Sequence, residues 1–488
     1  MKPMVDRTIH YELTRFILQR SIAFIYFFAF LIVVNQFLGL AGSKGLLPVS
    51  LFVKRVSFMD SPSLFYYFNS DFALQAFAWL GLGLSFFALT GMSDSFSNWV
   101  SIPIWFCLWV LYLSYVNVGQ TFYGFGWEIL LPEVGFLAIF LGARNTPAPE
   151  IVIWLLRWLA FRIMFGAGMI KIRGDDCWRD LTCLVFHYET QPMPNPLSWF
   201  FHQLPIWMHK AGVIFNHFIE LVVPFGLFGP RPVRITAGIL TIVFQVVLIF
   251  SGNLSWLNVI TIVVALACFD DEFFRALGLG FDKWMSAVEM SAGLPIQVYW
   301  LLAAAIGLLS IRPAMNLVSS QQTMNGSFDP LHLVNTYGAF GSVGRTRDEI
   351  VIEGTSDDVV TVDTKWLEYE FKGKPGDPSR MPPQVTPYHY KLDWQMWFAA
   401  MTDYYQHPWL LNLLGKFLQN EPSVMNLIRT NPFPETPPKF VRVKHYRYRF
   451  TDWGEDGWWK REGGRDYLPP LSLDDPQFRR ILTEQGWL

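Results

Sequence analysis

SIAFIYFFAFLIVVNQFLGL, residues Ser21–Leu40, is an uncharged run of aliphatic and aromatic side chains near the start of the chain. A helix needs roughly 20 apolar residues to cross the hydrocarbon core of a bilayer, and this run is long enough. It is too long for the apolar part of a removed signal peptide, and it lacks a small-residue cleavage site. We therefore expect a retained first membrane span.

Apolar runs of similar character continue through the first two thirds of the 488-residue chain. By the same criterion, about nine of them are candidate membrane helices. They begin near Ser21, Phe72, Ile102 and Trp127 and continue at 151–171, 213–228, 235–250, 254–269 and 295–309. The chain is 52% hydrophobic and 16% charged, whereas soluble domains contain about 25% charged residues. The sequence thus predicts an α-helical polytopic membrane domain over residues 1–312.

Residues 313–488 have a different pattern, in which polar and apolar residues alternate between turn-forming glycines and aspartates. This period of two is typical of strands. The segments that show it are Glu349–Glu353, Val359–Thr364, Trp366–Phe371 and Lys439–Phe450. Asp393–Thr402, rich in Trp, Met and Ala, is expected to be helical. We predict an exposed, β-rich, soluble C-terminal domain.

The distribution of basic residues predicts the orientation, because Lys and Arg in short loops are retained on the cytoplasmic side. The segments that would lie there contain Lys2, Arg7, Arg15, Arg20, Arg144, Arg231, Arg234, Arg275 and Lys283. The N-terminus is then cytoplasmic, and the connection 172–210 and the C-terminal domain lie on the opposite face. Three residues oppose this trend: Lys44, Lys54 and Arg55.

The densest motif begins within the fifth apolar run and continues beyond it. It reads GAGMIK (Gly166–Lys171), RGDDCWRDLTC (Arg173–Cys183) and HYETQPMPNPLSW (His187–Trp199), and two further words, LDWQMWFAA (Leu392–Ala400) and NPFP (Asn431–Pro434), follow far along the chain. Together these motifs resemble the lipase maturation factor family over nearly the whole chain. The chain departs from the family at Tyr390-Lys391, where the resemblance leads us to expect Pro-Arg.

The residues that carry the resemblance are Arg162, Gly168, Lys171, Gly174, Trp178, Arg179, Asp180, His187, Tyr188, Glu189, Gln191, Pro192, Asn195, Pro196, Asp393, Trp394 and Trp397. The resemblance implies a membrane-bound, chaperone-like folding factor, not an enzyme, that helps secreted lipases or other secreted clients reach their active form. It implies an endoplasmic reticulum membrane in a eukaryote or the inner membrane in a bacterium. It also implies that the C-terminal domain contacts the client.

Cys177 and Cys183 are six residues apart, which is not the spacing of a thioredoxin-type redox motif. On the non-cytoplasmic face disulfides form and persist, so we favour a local structural disulfide in the 172–210 loop. Two free thiols, or exchange with a client or an oxidoreductase partner, are the alternatives.

Several ionisable residues lie within the apolar runs, where charges are costly and usually paired. They are Glu128, Glu133, Arg157, Arg162, Lys171, His217 and Glu220. We favour interhelical ion pairs, with Lys171 paired to an acidic residue such as Glu220 and with His217 on the face of Glu220. In the alternative, AGMIK (Ala167–Lys171) is similar to the lysine-bearing helix of the vitamin K-dependent γ-carboxylase, and Lys171 is the general base of a membrane enzyme.

The sequence lacks the features expected of a nucleic-acid-binding protein, a cofactor- or metal-dependent protein, or a transporter. A formal net charge of −2 provides no basic field for nucleic acid, and no P-loop, metal-ligating set or other cofactor motif is present. A lipid or solute transporter is weakened by the lack of matching broken helices in two halves. We therefore expect no cofactor and no metal, and the expected partners are secreted clients and membrane lipid.

The C-terminal domain is unusually aromatic. Trp394 and Trp397 are three residues apart and are expected to fill its core, whereas Trp453, Trp458 and Trp459 lie in a stretch rich in Gly and Asp. Tryptophan is enriched in binding hot spots because it offers a large apolar area with few rotors. We expect these last three to be exposed and to bind the client.

Overall fold

A computed structural model describes residues 9–279 and 291–488, and the described residues up to Val318 fold mainly as apolar helices. Lys2, Arg7 and Lys283 lie outside the described residues. The helices are α1 Glu12–Ala41, α2 Val49–Arg55, α3 Asp71–Leu89, α4 Asn98–Val118, α5 Gly126–Ile139, α6 Glu150–Arg173, α7 Asp176–Arg179, α8 Cys183–Thr190, α9 Ser198–His202, α10 Ile206–His217, α11 Val223–Gly226, α12 Arg231–Ser251, α13 Leu257–Ala265, α14 Asp271–Ala276, α15 Ile296–Leu309 and α16 Ile311–Val318.

Six helical segments within these described ranges are long and apolar enough to cross a membrane. They are Glu12–Ala41, Asp71–Leu89, Asn98–Val118, Glu150–Arg173, Arg231–Ser251 and Ile296–Val318. The predicted count of about nine is therefore not confirmed by length and composition. The chain is an integral membrane protein with at least a six-helix apolar bundle.

The other three predicted spans are short or interrupted. α5 has 14 residues, which at 1.5 Å per residue extends about 21 Å, less than the roughly 30 Å core of a bilayer. α10 passes through a π-helical segment, Phe218–Val222, into the four-residue α11. α13 has nine residues and continues as a 3₁₀ turn. The periodicity of an apolar run does not reveal such interruptions.

Two of these segments, α5 and α13, nevertheless have termini at the same ends of the bundle as the long helices. At the end of the bundle that contains Glu12, the Gln19 side chain of α1 donates to the carbonyl of Gly142, just after α5, at 2.8 Å. At the opposite end, which contains Ala41, the Ser43 N–H just after α1 donates to Asp71 Oδ1 at the start of α3 at 2.7 Å. Trp256, before α13, donates at 3.1 Å to the carbonyl of Trp127 at the start of α5, so both segments have one terminus near the Ala41 end.

The C-terminal region combines a four-stranded antiparallel sheet with four further helices. The strands are β1 Arg347–Thr355, β2 Leu367–Glu368, β3 Phe440–Phe450 and β4 Trp459–Leu471, in the order β2-β1-β3-β4. The helices are α17 Lys391–Met401, α18 Trp409–Leu418, α19 Pro422–Met425 and α20 Pro476–Glu484. The predicted β1, β3 and α17 are present, but the sheet is smaller than "β-rich" implies.

Two strand predictions differ from the structure. Val359–Thr364 forms turns instead of a strand, with the Val362 side chain fully exposed, because no neighbouring strand pairs with it. β4 was not predicted, since Gly463 and Pro469 interrupt its alternation. It is an edge strand, a position that tolerates proline because one side of the strand has no ladder to complete.

Candidate functional site

Lys171, near the end of α6, is the centre of a buried polar cluster. Its ammonium donates to Glu220 Oε1 at 2.5 Å and to Asn216 Oδ1 at 3.1 Å, and it lies 5.1 Å from the Trp178 ring centroid. Asn216 also donates to the second Glu220 oxygen at 2.8 Å. The favoured pairing of Lys171 with Glu220 is thus present. His217 is directed to the same corner, where its ring contacts the Trp178 carbonyl at 3.0 Å.

Gly168 allows this pairing. A β-carbon at position 168 would lie 2.7 Å from Leu221 Cδ2 and 2.9 Å from Glu220 Cβ. Such distances are closer than van der Waals contact, so α6 can approach the π-helical segment only where it carries glycine. The close approach brings the Glu220 carboxylate within reach of Lys171.

A disulfide closes the loop that follows α6. It joins Cys177 and Cys183, whose Cα atoms are 4.8 Å apart, as the favoured interpretation of their spacing predicts. Both cysteines are buried, together with Trp178, whose indole donates to the Phe340 carbonyl at 2.8 Å. Asp175 caps α7 and pairs with Arg345 at 2.7 Å, and this hydrogen bond lowers the pKa of Asp175.

The rest of the loop is bonded to the sheet through Arg347 on β1. Its guanidinium, with none of its side chain exposed, pairs with Glu349 at 2.6 Å. It donates to the Glu189 carbonyl at 2.8 Å and to the Pro192 carbonyl at 3.0 Å. Glu349 is bonded in turn to Lys374 at 2.8 Å. The fully buried guanidinium therefore satisfies carbonyls at the end of α8 that have no helical partner.

Side chains of the loop and the C-terminal region add further bonds across this joint. The Phe450 N–H donates to Glu189 Oε2 at 2.8 Å. The Trp199 indole donates to the Thr451 carbonyl at 2.9 Å, and the Trp397 indole to the Thr190 carbonyl at 3.0 Å. The joint between the two regions therefore rests on residues from α8, α9, α17 and β3.

A second joint lies on the other side of the bundle. Lys391, at the start of α17, pairs with Glu128 of α5 at 2.6 Å, and neither side chain is exposed. The ammonium lies 3.6 Å from the centroid of the Tyr123 ring, while Glu128 also accepts from the Tyr112 hydroxyl at 2.6 Å and the Trp127 indole at 2.9 Å. The position at which the chain departs from the family motif thus carries a buried cation.

The polar cluster of Lys171 also borders a cavity of about 130 Å³. The helices that surround it are α6, α7, α8, α10, α12 and α13, together with the loop before β1. Most of its lining is apolar, and His187, Tyr188 and Gln191 line it as well. Burial, together with the charge of Lys171, lowers the pKa of His187 to about 4, so this imidazole is neutral at physiological pH.

Comparison with known proteins matches both regions of the chain to domains of one protein family. Residues 13–276 match the lipase maturation factor transmembrane domain, and residues 333–469 match the lipase maturation factor C-terminal domain. The chain belongs to the lipase maturation factor family. Lipase maturation factor 1 of Mus musculus is 45% identical over 510 residues, covering 95% of this chain and 88% of its own length.

More distant relatives extend the family. Lipase maturation factor 1 of Homo sapiens is 44% identical, covering 97% of this chain and 90% of its own length. Lipase maturation factor 2 of Mus musculus is 29% identical over 602 residues, covering 96% and 84%. No solved structure matches the chain significantly.

Most of the residues that carry the family resemblance are buried. Buried among them are Arg162, Gly168, Lys171, Trp178, His187, Tyr188, Glu189, Gln191, Pro192, Asn195, Asp393 and Trp394. Arg162 pairs with Glu133, and Asp393 accepts from the Lys374 N–H at 3.0 Å. Those at least partly exposed are Gly174, Arg179, Asp180, Pro196 and Trp397. The signature thus marks the joint between the two regions of the maturation factor.

The three tryptophans of the β3–β4 connection do not share one environment. Trp453 is 66% exposed, as expected, and Trp458 is partly buried. The expected exposure of Trp459 is wrong, because it is 3% exposed and its ring stacks on Phe450 at 4.2 Å. Trp459 begins β4, so the pleat of that strand turns its side chain inward.

Sequence reasoning missed the buried charges of the C-terminal region. Arg347 and Glu349 are two apart on β1 and therefore share one face; that face is buried. Their spacing was visible, but a charged pair in a strand normally indicates a solvated face. Lys391 was singled out only as a departure from the family motif.

Proposed function

We propose that this protein is a membrane-bound maturation factor that helps secreted lipases reach their active form. The observation that supports this is the match to relatives named lipase maturation factor over 95–97% of the chain. Both family regions are present and bonded to one another at two joints, through the hydrogen bonds of Arg347 to the Glu189 and Pro192 carbonyls and through the buried Lys391–Glu128 ion pair. The role is that of a folding factor rather than an enzyme.

The contacts of Lys171 argue against the enzyme alternative. The cavity does bring Lys171 and Glu220 to one wall, which a membrane enzyme would require. A general base, however, needs a free lone pair. Here the amine donates to two acceptors and faces an aromatic ring, as in a structural ion pair. We assign Lys171, Glu220 and His217 to the stability of the helix joint.

We further propose nine crossings, with α5, the α10–α11 segment and α13 completing the six long spans. Support comes from their shared ends, since Trp154 near the start of α6 stacks on Phe228, just after α11, at 6.2 Å. An odd number of crossings places the two ends of the chain on opposite faces, so with the cytoplasmic N-terminus that the basic residues predict, residues 313–488 lie on the non-cytoplasmic face. The compartment would be the endoplasmic reticulum in a eukaryote and the periplasmic side of the inner membrane in a bacterium.

α16 continues the last span to Val318, past the predicted domain boundary at residue 312. We therefore propose residue 312 as a boundary between functions, not between structural elements. We propose that the client contacts an aromatic cluster formed by Trp453 and Trp458 of the C-terminal part and by Trp199 and Phe200 of α9. Trp453 lies 4.6 Å from Trp199 and 6.0 Å from Phe200 between ring centroids. Phe200 is itself 43% exposed, so the cluster offers an apolar surface at the Ala41 end.

The disulfide does not favour exchange with a client. Cys177 is 2% exposed and Cys183 is fully buried, and exchange requires a thiolate to reach one of the sulfurs. We propose that the oxidoreductase partner acts while this bond forms.

The proposed function is tested by deleting the protein in its native host. Secreted lipase activity is measured beside total secreted lipase protein, and we expect activity per molecule to fall. Equal activity per molecule with and without the protein would contradict a maturation role. In the same assay Trp453→Ala tests the aromatic cluster, with Tyr405→Ala as the control, because Tyr405 is a 79% exposed aromatic residue elsewhere in the C-terminal region.

A further inference from the structure

The cavity beside Lys171 has polar groups that the protein itself does not use. Neither the His187 imidazole nor the Tyr188 hydroxyl, both of which line it, makes a hydrogen bond to a residue within 9–279 or 291–488. Buried polar groups are normally paired. A neutral imidazole and a phenol together offer both donors and acceptors, which is the chemistry that binds hydroxyl and ester groups.

The polar groups of the cavity that have no partner in the protein lie at one end of the bundle. His187, Tyr188 and Gln191 lie at the Ala41 end, where Gln191 bonds to the Ser251 carbonyl at 2.8 Å. Farther along α6, Ile163 and Met164 line the cavity beside Gln245, whose amide oxygen accepts from Asn258 within the wall at 2.8 Å. Such an arrangement suits an amphiphile whose head group lies at the level of the bilayer surface.

The cavity reaches the lipid-facing surface between α10 and α12. Gly212 and Phe215 of α10 and Val247 and Leu248 of α12 line it. Val247 is at the same time 40% exposed on the outside of the bundle. A ligand can therefore enter sideways from the bilayer.

Charge and size narrow the class of ligand. Among the described lining residues, Lys171 and Glu220 are the charged ones, and they neutralise each other, so no free charge is present to bind a carboxylate or phosphate head group. A volume of about 130 Å³ is close to that of a cavity that holds benzene, about six heavy atoms. A glycerol head group has about that size, whereas a two-chain phospholipid head does not fit.

We propose that this cavity binds the uncharged head group of a single-chain lipid, of which a monoacylglycerol is the type. The His187 imidazole and the Tyr188 hydroxyl hydrogen-bond the head group, and the acyl chain leaves past Val247 into the bilayer. The maturation factor would then bind a glyceride within the membrane, independently of the aromatic cluster in the C-terminal region.

The test uses the full chain in nanodiscs with a monoacylglycerol that carries a diazirine in its chain. We expect labelling of α10 and α12 peptides that unlabelled monoacylglycerol competes away. Lysophosphatidylcholine and oleate should compete at least tenfold more weakly. Equal competition by the charged lipids, or labels confined to other helices, would overturn the proposal.

Two variants test the site itself. Val247→Trp closes the opening and should lower competable labelling at least fivefold, relative to the matched control Val243→Trp. Val243 lies one turn earlier on α12, is 47% exposed and does not line the cavity. Tyr188→Phe removes a hydroxyl that has no partner within the described residues, so folding should be retained while affinity falls about 2- to 10-fold. Unchanged affinity in Tyr188→Phe would overturn the assigned head-group contact. Equal labelling of the two tryptophan variants would overturn the lateral opening.

Discussion

Replacement of Lys391 by methionine should weaken the joint between α17 and α5. Methionine keeps most of the side-chain volume but removes the ammonium 2.6 Å from Glu128 Oε1. The carboxyl, with no exposed surface, must then remain charged beside the Tyr112 hydroxyl and the Trp127 indole or take up a proton. Removing one member of a buried pair costs about 3–5 kcal/mol, because the other charge is left uncompensated.

The assay is thermal unfolding of the purified protein in detergent, followed by tryptophan fluorescence. For a cooperative unfolding of 488 residues, an unfolding entropy of roughly 1 kcal/mol/K converts this cost into a midpoint lowered by about 3–5 °C. Lys391→Arg keeps a cation in place and is the control. The double variant Lys391→Met/Glu128→Gln removes both charges and should recover most of the loss. A double variant as unstable as Lys391→Met would refute the reasoning, since packing rather than charge would then be responsible.

Three further predictions concern stability. Trp459→Ala should destabilise the protein by about 3–5 kcal/mol because it empties a buried site, whereas Trp453→Ala should change the unfolding free energy by less than about 0.5 kcal/mol; equal effects in thermal unfolding would contradict the assigned burial. Replacing Cys177 and Cys183 by serine should cost about 2 kcal/mol through lost loop closure, measured as a lower denaturation midpoint. His187 is held neutral because its folded pKa of about 4 lies below the unfolded value of about 6.5. Its contribution to stability is therefore present above pH 6.5 and is lost as the pH falls towards 4, and His187→Phe should flatten the pH dependence of the unfolding midpoint over that interval.

The candidate site was predicted in part. Lys171, Glu220 and His217 were singled out from their positions in apolar runs, and the structure brings all three to one corner around Trp178. The cavity beside them was not predicted. Its lining comes from six helices and a loop, and no local pattern indicates which helix faces will meet.

The sequence by itself determined the membrane class, the positions of the long apolar helices and the family, because hydropathy and motifs are local properties of the chain. It also indicated the short-range disulfide, whose partners are six residues apart. Tertiary structure alone decided the pairing of Lys391 with Glu128, 263 residues away, and the burial of Trp459. A charge or an aromatic ring is compatible with core or surface until a neighbouring surface covers it. Which surfaces meet is set by the packing of the whole bundle against the sheet.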